Sequence, residues 1–235
     1  MTFTILGRDP VNGQLGIGIA TYSLAVGATC PRVLPGVCVL TTQASTNPAI
    51  GEQIVASLRA GADTTSAFNQ AVQNDPHPGF RQVALLAPTG DALVHSGADT
   101  KPFSGHVNGE NCTAVGNFLA GVDVLEAMTE GFGAGAAGTP LAERLLIALE
   151  AGKAAGGQVE PGGTHLAERS ACLVVATPGE RFPIDTRVDY STDAIPALRE
   201  SFGAYRPMHG YYLARAENPV GLPLQFVVVN DLKAE

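Results

Sequence analysis

The sequence predicts an α+β fold in which groups of strands are separated by pairs of helices. Two apolar, β-branched segments, 2–8 and 14–23, flank the turn signal DPVNG (9–13), and together they predict a β-hairpin. Helical patterns then come in pairs, at 47–74 and 122–152, instead of singly between strands. Hydrophobic residues make up 45% of the chain and charged residues 15%, which favours sheets buried on both faces. We therefore expect sheets and helices in separate layers rather than a doubly wound sheet.

The first helix pair follows a third predicted strand at 35–44. Asn47 is a good N-cap and Pro48 suits the first helical position, so a helix is expected to begin here. Gly61 suits its end, and Asp63 can cap a second helix that runs to about residue 74. These signals predict two consecutive helices before the next hairpin.

The remaining elements are predicted from signals of the same kinds. Leu141, Leu145 and Leu149 share one helical face, and SACLVVA (170–176) is typical of a buried strand. In order, the predictions are strands at 81–87, 91–97 and 111–117, helices at 122–130 and 139–152, strands at 170–176 and 184–190, a short helix at 193–203 and a strand at 224–230.

Charge and hydropathy narrow the classes of function. The net charge is −8, and Lys and Arg are scattered without a basic stripe, so nucleic acid is not an expected partner. No apolar run approaches the roughly 18 residues of a membrane span, and no membrane partner is expected. The N-terminus lacks a basic segment followed by an apolar one, so we expect a cytoplasmic protein that acts on a small molecule.

Neither a metal nor a cofactor is expected. The four cysteines lie in apolar stretches without a CxxC pair, which favours buried free thiols over disulfides or zinc ligands. The histidines lack the spacing of common metal sites. GAGAAG (133–138) fits GxGxxG, but a helix rather than a strand precedes it, so we interpret it as an interhelical loop.

The first hairpin is predicted to gather hydroxyl groups. A turn centred on residues 12–13 places Thr2 opposite Ser23 and Thr4 opposite Thr21, so four hydroxyls share one face at one end. Such threonine pairs also occur in sheets for stability alone. Both a structural and a catalytic interpretation are therefore open for this cluster.

Thr2 has a chemical option that an internal threonine lacks. If Met1 is removed, Thr2 carries a hydroxyl and an amine on adjacent carbons, and the amine can accept the hydroxyl proton. An α-amine titrates at about 7.7–8.0, and desolvation lowers that value. Gly116 and Asn117, at the end of a predicted strand, could stabilise an oxyanion, although Gly-Asn is also a common turn pair.

Five segments stand out in the order MTFTILGRD, GIGIATYSLAVGATCP, TTQASTNPAIGEQ, AVGNFLAG and RSACLVV. They are similar to successive blocks of one bacterial family, the Ntn-hydrolase-like family named domain of unknown function 1028. The resemblance covers residues 1–202 and implies a four-layer αββα sandwich, with two antiparallel sheets between helical layers. Residues 203–235 lie beyond it, and we expect them to form a C-terminal extension packed on the same domain. A homo-oligomer is also expected.

The fold that the resemblance implies is shared with amide-bond hydrolases that use an N-terminal Thr, Ser or Cys. The first hypothesis is therefore an amidohydrolase that cleaves a small amide, ureido or lactam-like C–N bond. Thr2 would be the nucleophile, Ser23 would support it, and Gly116 with Asn117 would stabilise the oxyanion. The residues expected to line the substrate pocket are Gln43, Asn47, Arg81, Gln82, Arg169, Arg187 and Asp189. For Asn47 and Arg81, a helix cap and an exposed strand end are the alternatives.

A second hypothesis is a non-catalytic module of the same fold that binds a small ligand or a protein partner. It applies if Met1 is retained, because the α-amine then lies one residue too early and Thr2 lacks its base. The intact mass of the natively expressed protein separates the two hypotheses.

Overall fold

The computed structural model describes residues 1–100, 103–135 and 138–232. Its strands are β1 (Thr2–Asp9), β2 (Gln14–Thr21), β3 (Pro31–Leu34), β4 (Cys38–Ala44), β5 (Arg81–Leu86), β6 (Leu93–Ser96), β7 (Ser104–Gly109), β8 (Cys112–Asn117), β9 (Gln158–Val159), β10 (His165–Leu166), β11 (Ser170–Ala176) and β12 (Ile184–Val188). Its helices are α1 (Val26–Thr29), α2 (Pro48–Arg59), α3 (Thr64–Asn74), α4 (Asp123–Gly133), α5 (Leu141–Ala154), α6 (Ala194–Glu217) and α7 (Gln225–Leu232).

The strands form two main antiparallel sheets, which confirms the α+β class. The large sheet has the order β12-β11-β2-β1-β8-β7, and the small sheet has the order β3-β4-β5-β6. A short ribbon pairs β9 with β10. Strand β1 lies in the middle of the large sheet, with β2 on one side and β8 on the other. The first residue of β1 is therefore held between two neighbours.

Three apolar clusters fix how these sheets and helices pack. Phe3 and Ile5 of β1 belong to a cluster that joins the large sheet to α4, α5 and α6. Leu6 belongs to a second cluster, which joins the two sheets face to face. A third cluster, with Leu40 and Phe68, joins the small sheet to α2 and α3. Because strand residues alternate between faces, Thr2 and Thr4 point with Leu6 into the space between the sheets.

The first hairpin forms, but in a different register from the predicted one. Asp9 pairs with Gln14, so the loop has four residues, and Thr2 pairs with Thr21 instead of Ser23. The loop closes through its own side chains, because the Asp9 carboxylate accepts from the Val11 N–H and the side-chain Oδ1 atom of Asn12 accepts from the Gln14 N–H. Asx turns of this kind compete with a two-residue turn. The register shifts by two residues, so each residue keeps its face.

The end of the chain differs most from expectation. The segment predicted as a strand at 224–230 is helix α7, and the short helix predicted at 193–203 is the 24-residue helix α6. A strand needs a partner edge for its backbone groups, whereas this segment lies against α6. There the Gln225 side chain accepts from Arg215 at 2.9 Å. Strands β3 and β7 were also missed.

Other parts of the prediction can be placed directly. Helix α4 ends at Gly133, the first residue of the GxGxxG segment, and α5 begins at Leu141, so the other described residues of that segment lie between two helices. Residues 136–137 of that segment and residues 233–235 of the extension lie outside the described residues. All four cysteines are buried and free, as predicted. Within the described ranges, no helix has both the length and the apolar character to cross a membrane.

Candidate functional site

A pair of threonine hydroxyls lies where β1 begins and β2 ends. The Thr2 Oγ1 and Thr21 Oγ1 atoms are 3.1 Å apart, within hydrogen-bonding distance. On its other side Thr2 pairs with Asn117 of β8. The exposed fractions are 5% for Thr2, 1% for Thr21 and 0% for Asn117, so the group is closed to solvent in the presence of Met1. The sheet thus places the hydroxyl of Thr21 on one side of Thr2 and the side-chain amide of Asn117 on the other.

Met1 covers this group and makes a specific contact with it. The Thr21 hydroxyl donates a hydrogen bond to the Met1 carbonyl oxygen at 2.5 Å. The Met1 amine is itself enclosed, and burial lowers its pKa to about 6, although the nearby Cys30 thiol opposes this shift. The site therefore already holds a carbonyl oxygen beside the Thr2 hydroxyl, and its surroundings favour a neutral amine.

An uncharged network forms the wall of the site on the side of the small sheet. The Gln82 Oε1 atom accepts from Gln43 Nε2 at 2.8 Å and from Asn117 Nδ2 at 2.9 Å. The Thr4 hydroxyl donates to Gln43 Oε1 at 2.7 Å, and Gln82 Nε2 donates to the Gly116 carbonyl at 2.8 Å. These bonds connect the two sheets behind Thr2. The Asn117 Oδ1 atom is buried without a hydrogen-bond partner.

Ser23 does not contact Thr2, and the predicted pairing of these two residues is wrong. Strand β2 ends at Thr21, so Ser23 lies beyond it and is exposed. Its backbone is nevertheless anchored, because its N–H donates to Thr21 Oγ1 at 3.3 Å and its carbonyl accepts from the Ser170 hydroxyl at 2.8 Å. Thr21 occupies the position beside Thr2 that the sequence assigned to Ser23.

Gly116 lies inside the large sheet, opposite Phe3 on one side and Gly105 on the other. A Cβ atom on Gly116 would lie 2.6 Å from Leu119 Cδ1, so any larger residue here would have to displace the Leu119 side chain. Its carbonyl is engaged by Gln82, as described above. The structure thus shows a packing reason for Gly116, next to the side chain of Asn117.

Asn47 and Arg81 belong to a separate cluster around the buried Asp75. The Asn47 side chain caps α2, accepting from the Ala49 N–H at 3.2 Å, and donates to Asp75 Oδ2 at 2.7 Å. Arg81 Nε donates to Asp75 Oδ1 at 3.1 Å. Burial alone would raise the pKa of Asp75, but the hydrogen bonds from Asn47, the His77 N–H and Arg81 lower it overall. Of the four pocket residues predicted on β4, α2 and β5, only Gln43 and Gln82 join the Thr2 site.

The three predicted pocket residues from the C-terminal part take different positions. Arg187 is exposed and makes a bidentate ion pair with Asp185, with both N–O distances at 2.7 Å. Asp189 is exposed, and its backbone carbonyl accepts from the Ala25 N–H at 3.0 Å. The Arg169 N–H donates to the Thr21 carbonyl at 2.8 Å. Arg169 is therefore the one of these three that is bonded directly to a site residue.

One residue near the site was given the wrong partner from the sequence, and another was missed. Thr21 was included in the hydroxyl cluster but placed opposite Thr4, and the loop length of the hairpin decides its true partner, Thr2. Gln158 is buried, and its Oε1 accepts from the Tyr22 N–H at 3.1 Å, which holds the chain just after β2. Its strand β9 has two residues, too few for a periodic signal. Within the described residues, no group of three or more His, Cys, Asp or Glu side chains is placed to hold a metal ion.

Comparison with known proteins gives one family. The profile of a family of unknown function, DUF1028, matches residues 2–198. A crystal structure of protein SPO2555 from Silicibacter pomeroyi, described as DUF1028, is 32% identical, covers 87% of this chain and 85% of its own, and has a TM-score of 0.76. Anbu (ancestral beta-subunit) from Yersinia bercovieri is 12% identical, with 94% and 100% coverage and a TM-score of 0.38, too low to inform the fold. No curated protein matches. The chain therefore belongs to the DUF1028 family.

Proposed function

We propose that the protein is an N-terminal-nucleophile amidohydrolase. In this proposal, removal of Met1 exposes Thr2, and Thr2 cleaves a small amide, ureido or lactam-like C–N bond. The observation that carries the proposal is the contact at Met1, where the Thr21 hydroxyl binds a carbonyl oxygen beside the Thr2 hydroxyl. A substrate carbonyl that replaced that of Met1 would meet the same donor.

The packing of the chain supports an Ntn-hydrolase-like fold. Two antiparallel sheets share one apolar cluster, and each carries helices on its outer face. We propose that this is the four-layer αββα sandwich that the sequence resemblance implies. The nucleophile of such a fold would begin a central strand, and Thr2 begins β1 in the middle of the large sheet.

The proposed reaction begins with a proton transfer to the new α-amine of Thr2. The amine accepts the Thr2 hydroxyl proton, directly or through water, as Oγ1 attacks the substrate carbonyl carbon. Burial lowers the pKa of the Met1 amine to about 6, and an amine one residue later begins from the same enclosed strand end. Desolvation there lowers the pKa of an amine, which increases the neutral fraction that can accept a proton.

In this proposal two groups stabilise the oxyanion. They are the Thr21 hydroxyl, which donates to the Met1 carbonyl, and the side-chain amide of Asn117, which pairs with Thr2 across the sheet. The ammonium group of Thr2 then gives its proton to the leaving nitrogen, the C–N bond breaks, and an ester to Thr2 Oγ1 remains. Water hydrolyses that ester, with the same amine as its base, and restores the free hydroxyl.

The first experiment is the intact mass of the protein expressed without a tag. We expect a mass lower by one methionine residue, since threonine at the second position permits trimming. Turnover of a panel of small amides and ureides is then compared between wild type, Thr2→Ser and Thr2→Ala. Both variants also permit trimming, so they differ in the nucleophile alone. Thr2→Ser should retain activity and Thr2→Ala should lose it. Full retention of Met1, or unchanged turnover in Thr2→Ala, would refute the proposal.

A non-catalytic binding module is the second candidate. It is favoured by the closed state of the site with Met1 in place, where the Thr21 hydroxyl is bonded and Thr2 is 5% exposed. In that case Met1 is retained and the hydroxyl pair serves the stability of the hairpin. Full retention of Met1 in the mass measurement would favour this candidate, and if Met1 is lost, the turnover of Thr2→Ala decides between the two. The homo-oligomer stays a prediction, which light scattering on the purified protein would test.

A further inference from the structure

One arginine beside the site has a guanidinium group without a polar partner. Arg169 is half-buried, with its guanidinium carbon 5.1 Å from the ring centre of Tyr22 and 5.6 Å from that of Tyr190. Among the described residues, its side chain makes neither a hydrogen bond nor an ion pair. The guanidinium groups that do have carboxylate, amide or carbonyl partners include those of Arg8, Arg81, Arg144, Arg187, Arg199 and Arg215.

The backbone holds Arg169 in a fixed place relative to Thr2. Its N–H donates to the Thr21 carbonyl at 2.8 Å, and its carbonyl accepts from the Ser191 N–H at 2.9 Å. Ser170 pairs with Thr21, and Thr21 pairs with Thr2. Arg169 is therefore bonded to the residue that pairs with Thr2. Strands lie about 5 Å apart, so the backbone of Arg169 is about 10 Å from that of Thr2. An arginine side chain can cover much of that distance.

The surroundings of Arg169 suit a carboxylate. Aromatic rings contact a guanidinium through its faces, which leaves the N–H groups of its edge free to donate. That edge matches the two oxygens of a carboxylate, and the charged hydrogen bonds are stronger in a partly desolvated place. The neighbouring Glu168 does not take this role, because its carboxylate lies 3.8 Å from the Lys153 ammonium group and makes no hydrogen bond.

We propose that the substrate carries a carboxylate, and that Arg169 binds this group while the scissile carbonyl lies against Thr2 and Thr21. The substrate class is then an acylated or carbamoylated amino acid with a short chain between the two groups. The inference rests on the proposed function for the reacting bond, but the binding of the carboxylate can be measured without turnover.

The experiment uses the trimmed Thr2→Ala protein, in which binding is separate from catalysis. Isothermal titration calorimetry measures the affinity for N-carbamoylglycine, N-carbamoyl-β-alanine and N-carbamoyl-γ-aminobutyrate, each beside its own carboxamide. We expect at least one acid to bind more tightly than its carboxamide. Adding Arg169→Gln should weaken the binding of that acid by about tenfold to a hundredfold, the range for a charged hydrogen-bonded pair. It should leave the affinity for the carboxamide unchanged.

Two further variants complete the test. Arg59→Gln makes the same change of charge at an exposed site on α2, and it should leave every affinity unchanged. Arg169→Lys keeps the charge and the packing stem but loses the planar edge, so it should also weaken the acid if Arg169→Gln proves too unstable to titrate. Equal affinities for acids and carboxamides, no loss in either Arg169 variant, or no saturable binding of any acid would overturn the inference. Failure of the mass or Thr2→Ala tests with acid selectivity intact would overturn the proposed function alone.

Discussion

Replacing Thr21 with valine removes the hydroxyl beside Thr2 while keeping a side chain of nearly the same shape. In the structure this hydroxyl contacts Thr2 Oγ1, the Met1 carbonyl and the Ser23 N–H. Thr21 is 1% exposed and Thr2 is 5% exposed, so the Thr2 hydroxyl cannot replace this partner with water. One buried polar group left without its partner costs about 1–3 kcal/mol, and we expect Thr21→Val to lower the free energy of unfolding by that amount.

The expected effect on catalysis is larger. If the Thr21 hydroxyl donates to the oxyanion, its loss should lower kcat by about 10²–10³-fold, as found for single oxyanion donors. The assay is turnover of the best amide or ureide found in the panel, together with urea unfolding of the same preparation. Turnover is measured well below the unfolding transition, so that lost stability does not mimic lost catalysis.

Thr4→Val is the matched control for Thr21→Val. Thr4 lies on the same face, is 0% exposed and donates to Gln43 Oε1, but no hydrogen bond joins it to Thr2. We expect a similar loss of stability and little loss of kcat. Equal kcat values for Thr21→Val and wild type would refute the role of Thr21, and an equal loss in both variants would show that the effect comes from the packing of the hairpin.

Three other variants test the surroundings of the site. Gln82→Leu removes the hydrogen bonds that Gln82 makes with Gln43, Asn117 and the Gly116 carbonyl, and urea unfolding should show a loss of about 3–5 kcal/mol in the free energy of unfolding; a loss below about 1 kcal/mol would contradict the network. Asp75 has a lowered pKa, so it stabilises the fold above the ordinary carboxyl value of about 4, and this contribution is lost as the pH falls through the folded value. Urea midpoints of Asp75→Asn and wild type should therefore differ near neutral pH and converge in acid, whereas a constant difference would argue against this linkage. Burial raises the pKa of Glu168, so its ionisation destabilises the fold as the pH rises through that value. Glu168→Gln should be the more stable protein at about pH 8; a less stable variant would show that the contact with Lys153 outweighs the burial.

Features that depend on local chemistry could be predicted from the sequence. The side chains of Asn47 and Asp63 cap α2 and α3, as expected from their place before each helical pattern. Strand β11 has the predicted bounds, because its residues are apolar without interruption. The hairpin was found but its register was not, since a two-residue turn and a four-residue loop fit the same DPVNG signal. The side chains that close the loop decide between them.

The partners within the site could not be predicted in the same way. Gln82 meets Asn117 across a separation of 35 residues, and Gln43 meets Thr4 across 39, so these contacts depend on how the two sheets pack. From the sequence alone, Asn47, Arg81, Gln43 and Gln82 were all predicted to line the substrate pocket. The strand pleat excludes Arg81, because Arg81 and Gln82 are neighbours whose side chains point to opposite faces of β5. Helix α7 was mispredicted for a related reason. Its β-branched residues favour a strand, but without a neighbouring strand edge the segment forms a helix, in which the backbone groups bond to one another.

The neutral wall behind Thr2 has a consequence for the origin of any pH dependence. Thr4, Gln43, Gln82 and Asn117 cannot gain or lose a proton in the physiological range, and their bonds to one another stay the same from weak acid to weak base. Among the described residues that form this cluster, the group able to titrate is the amine of the chain itself. The side chains around the amine would then keep their protonation state and their hydrogen bonds while the amine titrates. The pH dependence of the reaction would follow from the pKa of that amine.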